Sequence, residues 1–392
     1  MSSIPYKYFM PTQVECGNGI SKKTGEFVKK LGVERVLIVT DKGVRAANLL
    51  EGIEKSLEVA SLDYDIYDEV EQNPSAETFH RGTQLLKVVK SDAVLAIGGG
   101  SSIDTGKGIA VMATNAGSIL DYEGVGKIPN RPLPIIAVPT TAGTGSEVTN
   151  STVVTNKETS FKLGVLSSYV FPTMAILDPV LTLGLPQGIT AATGMDALTH
   201  AIESYTSKAA NPVSQAFATQ AMKMIGENLT KAYFVGTNIE SREKMLVASM
   251  LAGAAFAQSR LGNVHAISHA LGGVFDIAHG IANATLLPFV MKFNLHACPE
   301  RYRDIAVALG NDVTGLSVIQ AAEKAIDSVV EMNQAMNIPL NIKDLRVDLE
   351  LVPKLVEDAM RSGNVLVNPR LTNPADIQLI IEKAYHGNLE GY

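Results

Sequence analysis

The sequence has no tryptophan, only two cysteines and no long hydrophobic run among its 392 residues. Two cysteines are too few for a disulfide framework, so Cys16 and Cys298 indicate free thiols in a reducing compartment. The longest nearly apolar stretch, residues 247–257, is too short to cross a bilayer, and the first residues lack the apolar core of a signal peptide. We therefore expect a cytoplasmic protein that does not enter a membrane.

Clustered positive charge is also absent, and the formal net charge is −7. This balance disfavours nucleic acid and anionic membranes as partners. The composition, 46% hydrophobic and 19% charged, is that of a globular protein. Because 392 residues exceed one ordinary hydrophobic core, two domains are expected.

The first half of the chain alternates between two kinds of segment. Short apolar runs predict strands at residues 35–40, 62–67, 93–97, 134–138, 161–166 and 173–177. Helical patterns lie between them, at 44–59 and at 76–89 with Ser75 as the N-cap. Such alternation predicts a Rossmann-like α/β domain with a parallel sheet, which we place at residues 1–185.

The pattern changes after Pro186, where no convincing strand follows. Helices are predicted at residues 189–207, 213–229, 241–258, 265–274, 313–334, 351–362 and 374–384. We therefore expect an all-α domain over residues 186–392.

Two blocks of this helical half concentrate side chains that bind metals. Asp196 and His200 are four residues apart, as are His265 and His269, so each pair shares one helix face. His279 follows after a Gly-Gly break. A carboxylate and several imidazoles in apolar surroundings suit a divalent first-row metal, which would satisfy these buried groups together. The alternative is a set of separate histidines, each with a local hydrogen bond.

Three polar segments follow predicted strands and are expected at one edge of the sheet, where ligands of α/β proteins bind. Gly98, Gly99 and Gly100 lead into a helix whose first amides favour an anion such as pyrophosphate, although a plain tight turn is the alternative. Asp41 ends the first clear strand. Its carboxylate can accept from a ribose hydroxyl and repel a 2′-phosphate, or can form a local Asx turn. Residues 139–149, here called the hydroxyl loop, form the third segment.

Together these blocks resemble the iron-containing (group III) alcohol dehydrogenase family. The similarity runs from residue 40 to about residue 294 and depends on residues 98–104, 139–149, 194–200 and 262–280. There are two departures: Ala278 stands where many relatives have proline, and Gly106 where they often have another small residue.

The resemblance implies site residues by position. The implied metal ligands are Asp196, His200, His265 and His279, holding Fe²⁺, with zinc as the other ion. The implied NAD contacts are Asp41, Asn73, Gly98, Gly99, Gly100, Ser101, Thr140, Thr141, Thr144, Ser146, Lys162 and Leu181, with NADP the less favoured cofactor. His269 is assigned to proton relay or substrate orientation, with a structural role beside the metal as the alternative. Glu203 is seven residues after Asp196 and shares its helix face, which assigns it to the helix surface or the surroundings of the metal, with metal ligation as the alternative.

The implied activity is an NAD-dependent alcohol dehydrogenase or aldehyde reductase. The metal polarises the alcohol or carbonyl oxygen while hydride moves to or from nicotinamide C4. The substrate is expected to be a small primary alcohol or diol, and the protein a homodimer or larger homo-oligomer, with residues 13–16 as a strand shared between copies. Competing hypotheses are a metal-dependent hydrolase, a carbon–oxygen lyase that uses bound NAD⁺, and a binding module without turnover.

Overall fold

The computed structural model describes residues 6–159 and 161–392. Residues 1–5, on which the signal-peptide prediction partly depends, lie outside this range. The described residues form two compact units, one of residues 10–185 and one of residues 186–392 with residues 6–9. Within the described ranges no helix has the length and hydropathy required to span a bilayer.

The described residues of the first unit form nine strands: β1 Gln13–Cys16, β2 Arg35–Val39, β3 Asp63–Tyr67, β4 Ala93–Gly98, β5 Gly124–Val125, β6 Ile135–Pro139, β7 Ser151–Asn156, β8 Phe161–Leu166 and β9 Met174–Leu177. Six of them form a parallel sheet in the order β1-β9-β6-β4-β2-β3. The other three form a small sheet in which β7 and β8 are antiparallel. Because all six strands of the main sheet are parallel, their carboxyl ends meet at one edge.

The helices of the first unit are α1 Thr24–Lys30, α2 Lys42–Ala46, α3 Glu51–Val59, α4 Ala76–Val89 and α5 Gly100–Thr114. Those of the second unit are α6 Gln187–Thr206, α7 Pro212–Phe234, α8 Ile239–Ser259, α9 Asn263–Phe275, α10 His279–Asn294, α11 Pro299–Ala308, α12 Val318–Ala335, α13 Val352–Arg361 and α14 Pro374–His386. The described residues after 185 contain no strand. The predicted fold class, a parallel α/β part followed by a helical part, is confirmed.

The centre of the main sheet is fully buried, which explains its uninterrupted apolar strands. All six residues of β4 are buried, as are all five of β6. A strand covered on both faces needs apolar side chains at every position. The helix α5 packs closely on this sheet, because a Cβ at Gly106 would lie 2.6 Å from Cβ of Ala96. The small residue at 106 therefore permits the contact that sets the position of α5.

Three local predictions differ from the structure. The helix predicted at 44–59 is two helices, α2 and α3, because the chain turns at Asn48, which adopts a left-handed conformation with φ 55°. Ser75 stands at the N-cap position of α4, but its hydroxyl donates to Glu71 Oε1 and makes no cap bond. The helices α1, α10 and α11 and the strands β5 and β7 were not predicted.

The helix α10 contains Pro288, a residue that normally breaks a helix. Proline has no N–H to donate to the carbonyl four residues earlier, which here is that of Ala284. Asn333 on α12 supplies the missing donor, with 2.7 Å between its Nδ2 and Ala284 O. A side chain from a distant helix thus allows α10 to continue past its proline.

Candidate metal centre and cofactor loops

Three helices of the second unit carry the predicted metal ligands. Asp196 and His200 lie one turn apart on α6, His265 lies in the first turn of α9, and His279 is the first residue of α10. The start of α10 approaches α6 very closely, since a Cβ at Gly280 would lie only 2.3 Å from the carbonyl oxygen of Ala192. The absence of a side chain at 280 therefore allows His279 to reach Asp196.

Asp196, His265 and His279 form a group that could hold a metal ion. One ligand atom from each lies within 4.8 Å of the others. The Nε2 atoms of both histidines are 3.8 Å from Asp196 Oδ1. Asp196 and His265 are almost fully buried, whereas His279 is partly exposed. This leaves one accessible side to a site that is otherwise enclosed by protein.

Asn283, one turn after His279 on α10, shows that these atoms converge on a single point. Its amide nitrogen Nδ2 is 2.7 Å from Asp196 Oδ1 and 3.1 Å from Nε2 of both His265 and His279. An amide group has two hydrogens and cannot serve three acceptors. An excess of lone pairs from one carboxylate and two imidazoles is the donor set that binds divalent transition metals, so these residues fit such an ion.

The two other predicted histidines lie next to this group. His200 Nε2 is 3.8 Å from Asp196 Oδ1, and its ring stacks on those of His265 and Phe256 with centroid distances of 4.6 and 4.5 Å. It is not one of the three residues that meet the mutual distance of 4.8 Å. The ring of His269 stacks on that of His279 at 5.1 Å. Both rings are therefore adjacent to the convergent atoms.

Glu203 lies seven residues after Asp196 on the same face of α6 and is buried, so of the two predicted positions it has the one beside the metal-ligand residues and not the one on the helix surface. Its Oε2 lies 2.7 Å from His265 Nδ1, within hydrogen-bond distance. Burial raises the pKa of Glu203 to about 7, against hydrogen bonds from the start of α9 that lower it. Burial, with the neighbouring histidines, holds the pKa of His265 well below its ordinary value, so this imidazole is neutral.

The three polar segments of the first unit meet at the carboxyl edge of the main sheet, after the neighbouring strands β2, β4 and β6. The amide of Thr140 donates to Gly98 O at 3.0 Å. A Cβ at Gly100 would lie 2.6 Å from Thr144 Cγ2, and one at Gly99 3.4 Å from Thr141 Oγ1. Gly99 caps α5 without a side-chain hydrogen bond, and Ser101 follows in the first turn. The turn after β4 is thus covered by threonines of the hydroxyl loop.

Asp41 has local partners for both carboxylate oxygens. Oδ1 accepts from the amide of Val44 as the N-cap of α2, and Oδ2 accepts from the Ser102 hydroxyl, each at 3.0 Å. The local interpretation of Asp41 is therefore present in the structure. Each oxygen retains a second lone pair that can accept from a ligand.

Lys162 and Asn73 are paired with each other, since Lys162 Nζ donates to Asn73 Oδ1 at 2.8 Å. Lys162 lies on β8 of the small sheet, and Asn73 precedes α4. The segment before α4 is joined to β7 by a hydrogen bond from Thr155 N to Pro74 O. The small sheet therefore positions the Lys162 ammonium group.

Leu181 and Ser146, also predicted as cofactor contacts, are both buried. Leu181 belongs to the hydrophobic core beside the main sheet. The Ser146 hydroxyl donates to Asp104 on α5, which ties the hydroxyl loop to that helix.

A buried charged cluster behind the hydroxyl loop was not predicted. Lys107 is fully buried on α5, and its ammonium donates to the carbonyls of Thr149 and Ser151 at 3.1 and 2.8 Å. Burial lowers the pKa of Lys107 to about 8 and raises that of Glu147 to about 7. The sequence feature that could have indicated this cluster is the spacing of three between Asp104 and Lys107, which puts both on one face of α5.

Asn283 was also not predicted as part of the metal centre. The sequence feature that could have indicated it is its spacing of four from His279.

Two family models match the chain. The model for iron-containing alcohol dehydrogenases covers residues 11–179, and the model for the C-terminal part of the Fe-containing alcohol dehydrogenase family covers residues 190–385. The chain therefore belongs to the iron-containing alcohol dehydrogenase family and is an oxidoreductase of the alcohol dehydrogenase type.

Individual relatives are similar over almost their whole length. A 1,3-propanediol dehydrogenase of Klebsiella pneumoniae is 43% identical, over 98% of this chain and 100% of the relative. An NAD-dependent methanol dehydrogenase of Bacillus methanolicus is 42% identical, over 96% of this chain and 99% of the relative. A crystal structure of a 1,3-propanediol oxidoreductase superposes with a TM-score of 0.95 at 42% identity, over 97% of this chain and 100% of the other.

Proposed function

We propose that this alcohol dehydrogenase uses NAD and a divalent metal, Fe²⁺ by preference with Zn²⁺ as the alternative, to interconvert a small primary alcohol or diol and its aldehyde. The observation that carries the proposal is the convergence of Asp196, His265 and His279 within 4.8 Å. The substrate class is supported by the propanediol and methanol dehydrogenases among the relatives. NAD is supported by the NAD-dependent methanol dehydrogenase.

In the proposal the second unit holds the metal through Asp196, His265 and His279, with His200 as the fourth ligand. A divalent ion there supplies Lewis acidity to an alcohol or carbonyl oxygen. The neutral imidazole of His265 keeps a lone pair for binding. Burial of Asp196 and His265 excludes water, which strengthens electrostatic interactions within the site. His269, stacked on His279, is placed to orient the substrate or to pass on its proton.

The first unit is proposed to bind NAD at the carboxyl edge of its main sheet. The pyrophosphate would face the first amides of α5, at the turn formed by Gly98, Gly99, Gly100 and Ser101. Thr140, Thr141 and Thr144 border this turn, and Ser146 shapes the hydroxyl loop through Asp104. Asp41 can accept from the adenosine ribose and would repel a 2′-phosphate, which favours NAD over NADP. Asn73, Lys162 and Leu181 remain proposed contacts.

We also propose a homodimer or larger assembly in the cytoplasm. The strand β1 is at one end of the main sheet and pairs, among the described residues, only with β9. A sheet edge of this kind can accept a strand from a second copy. Cys16 and Cys298 are not joined in a disulfide, as is usual in a reducing compartment.

The test combines metal analysis of anaerobically purified protein with absorbance at 340 nm during incubation with NAD⁺ and short-chain alcohols or diols. About one ion per chain and formation of NADH are expected. A protein that binds no ion, even after addition of Fe²⁺ or Zn²⁺, would refute the metal-centre proposal. Phosphate or acid release would favour a hydrolase, product formation without net NADH a lyase, and NADH binding without turnover a binding module.

A further inference from the structure

Glu203 is a buried carboxyl group with three nitrogen atoms within hydrogen-bond distance. Its Oε1 lies 2.7 Å from the amide nitrogen of Val264. Its Oε2 lies 2.9 Å from the amide nitrogen of Gly262 and 2.7 Å from His265 Nδ1. The two backbone amides can only donate, and their hydrogen bonds to both oxygens favour the ionised form of the carboxylate. Glu203 is therefore an acceptor held in one orientation by both backbone and side chain.

The start of α9 is built around this carboxylate. Gly262 is the N-cap of α9 but offers no side-chain cap, so Glu203 on α6 satisfies the first amides in its place. A Cβ at Gly262 would lie 2.8 Å from Glu203 Oε1 and 3.1 Å from Asn368 Oδ1. The missing side chain at 262 thus permits the approach of Glu203, which in turn fixes the first turn of α9 that carries His265.

The contact with Glu203 also determines which nitrogen of His265 carries the proton. An ionised carboxylate can only accept, so beside it Nδ1 is the N–H donor and Nε2 keeps its lone pair. Nε2 is the atom that faces the metal centre, 3.8 Å from Asp196 Oδ1 and 3.1 Å from Asn283 Nδ2. The imidazole is consequently prepared for binding an ion before the ion arrives.

We propose that Glu203 is a positioning residue of the metal centre, which holds His265 as the Nδ1–H tautomer and directs Nε2 toward the ion. This inference rests on the proposed function, because it assumes a metal bound by Asp196, His265 and His279. Glu203 itself does not touch the ion.

Glutamine at position 203 is the decisive replacement because it has nearly the same shape but cannot accept on both sides. With its oxygen toward His265, the amide group would face the N–H of Val264, which loses its acceptor. With the amide group toward His265, it would donate to Nδ1 and leave the hydrogen on Nε2, where it blocks metal binding. Removal of such a partner of a ligand commonly lowers metal affinity 10- to 100-fold.

The experiment measures Zn²⁺ affinity of the full-length chain by competition with a chelating dye, for the parent and Glu203→Gln. It also records the ¹⁵N shifts of the histidine rings in the metal-free proteins, with His265 assigned by difference from His265→Gln. Asp358→Asn is the control, because Asp358 is a buried carboxylate of the same unit that pairs with Lys354. We expect the Nδ1–H tautomer of His265 in the parent and about 10- to 100-fold weaker binding in Glu203→Gln, with parent-like binding in the control.

An unchanged affinity in Glu203→Gln, or a parent His265 whose ring proton is on Nε2, would overturn the inference. If the parent itself binds no Zn²⁺, the proposed function fails instead, so the two failures are distinct. If Glu203→Gln does not fold, Gly262→Ala replaces it, since the added Cβ would displace the carboxylate without removing it. That variant is expected to show the same loss of affinity, and parent-like binding in it would equally overturn the inference.

Discussion

Replacing Gly280 by alanine should separate the ligands of the metal centre. The new Cβ would lie 2.3 Å from the carbonyl oxygen of Ala192, although real Cβ atoms essentially never come within 3.0 Å of another heavy atom. The obstacle is helix backbone, which cannot rotate away, so the start of α10 must move from α6 by at least about 0.7 Å. Metal–ligand distances tolerate only about 0.2 Å. His279, the neighbour of Gly280, should therefore no longer bind an ion together with Asp196.

The cost of this overpacking should be about 1–3 kcal/mol of stability, as for other enlarged core residues. Gly188→Ala is the matched control: it is also in α6 and the second unit, but its added Cβ has open space within 4 Å. That change should keep metal and raise stability by up to about 1 kcal/mol. Metal content after dialysis and thermal unfolding would be compared for both variants. Stoichiometric metal bound with parent affinity in Gly280→Ala would refute the reasoning.

Three further changes test other parts of the protein. His269→Ala should retain metal and lower kcat; unchanged kinetics would remove His269 from the mechanism. Gly100→Ala should weaken NADH binding in a fluorescence titration and lower the melting temperature, because its Cβ would meet Thr144 at 2.6 Å; a parent-like variant would contradict this. Burial raises the pKa of Glu147 from 4.5 to about 7, so the folded state favours the protonated carboxyl group. The stability that this group contributes is complete below pH 4.5 and is lost as pH rises through 7. Glu147→Gln should thus gain stability relative to the parent between pH 5 and 8, by up to about 3 kcal/mol; a pH-independent difference in melting temperature would oppose this.

The fold class followed from local patterns because its strands are buried on both faces. β4 and β6 are continuous apolar runs between helical segments, which identifies them without knowledge of their neighbours. The polar segments after β2, β4 and β6 were likewise expected at one edge, since parallel strands bring their carboxyl ends together. Local periodicity could not show α10, because its helical state past Pro288 depends on a donor from Asn333, 45 residues later in the chain.

The candidate site was predictable where its residues share a helix and unpredictable where they meet across helices. The spacing of four between Asp196 and His200 placed both on one face of α6. The place of Glu203 beneath His265 depends on the approach of α9 to α6, which a sequence pattern on either helix does not contain. The distinction between a surface carboxylate and a buried one therefore required the tertiary structure.

The polar groups at this site are difficult to explain as a means of folding. Buried acceptors cost free energy unless donors satisfy them, and one amide group of Asn283 faces acceptors from Asp196, His265 and His279. The nearby carboxyl group of Glu203 contacts Nδ1 of His265, which leaves the lone pair of Nε2 directed toward Asp196 and His279. A core selected for stability alone would place apolar side chains at these positions. Here the acceptors outnumber the hydrogens available to them, which is unfavourable for folding until a cation binds. This excess argues for the metal centre independently of any relative.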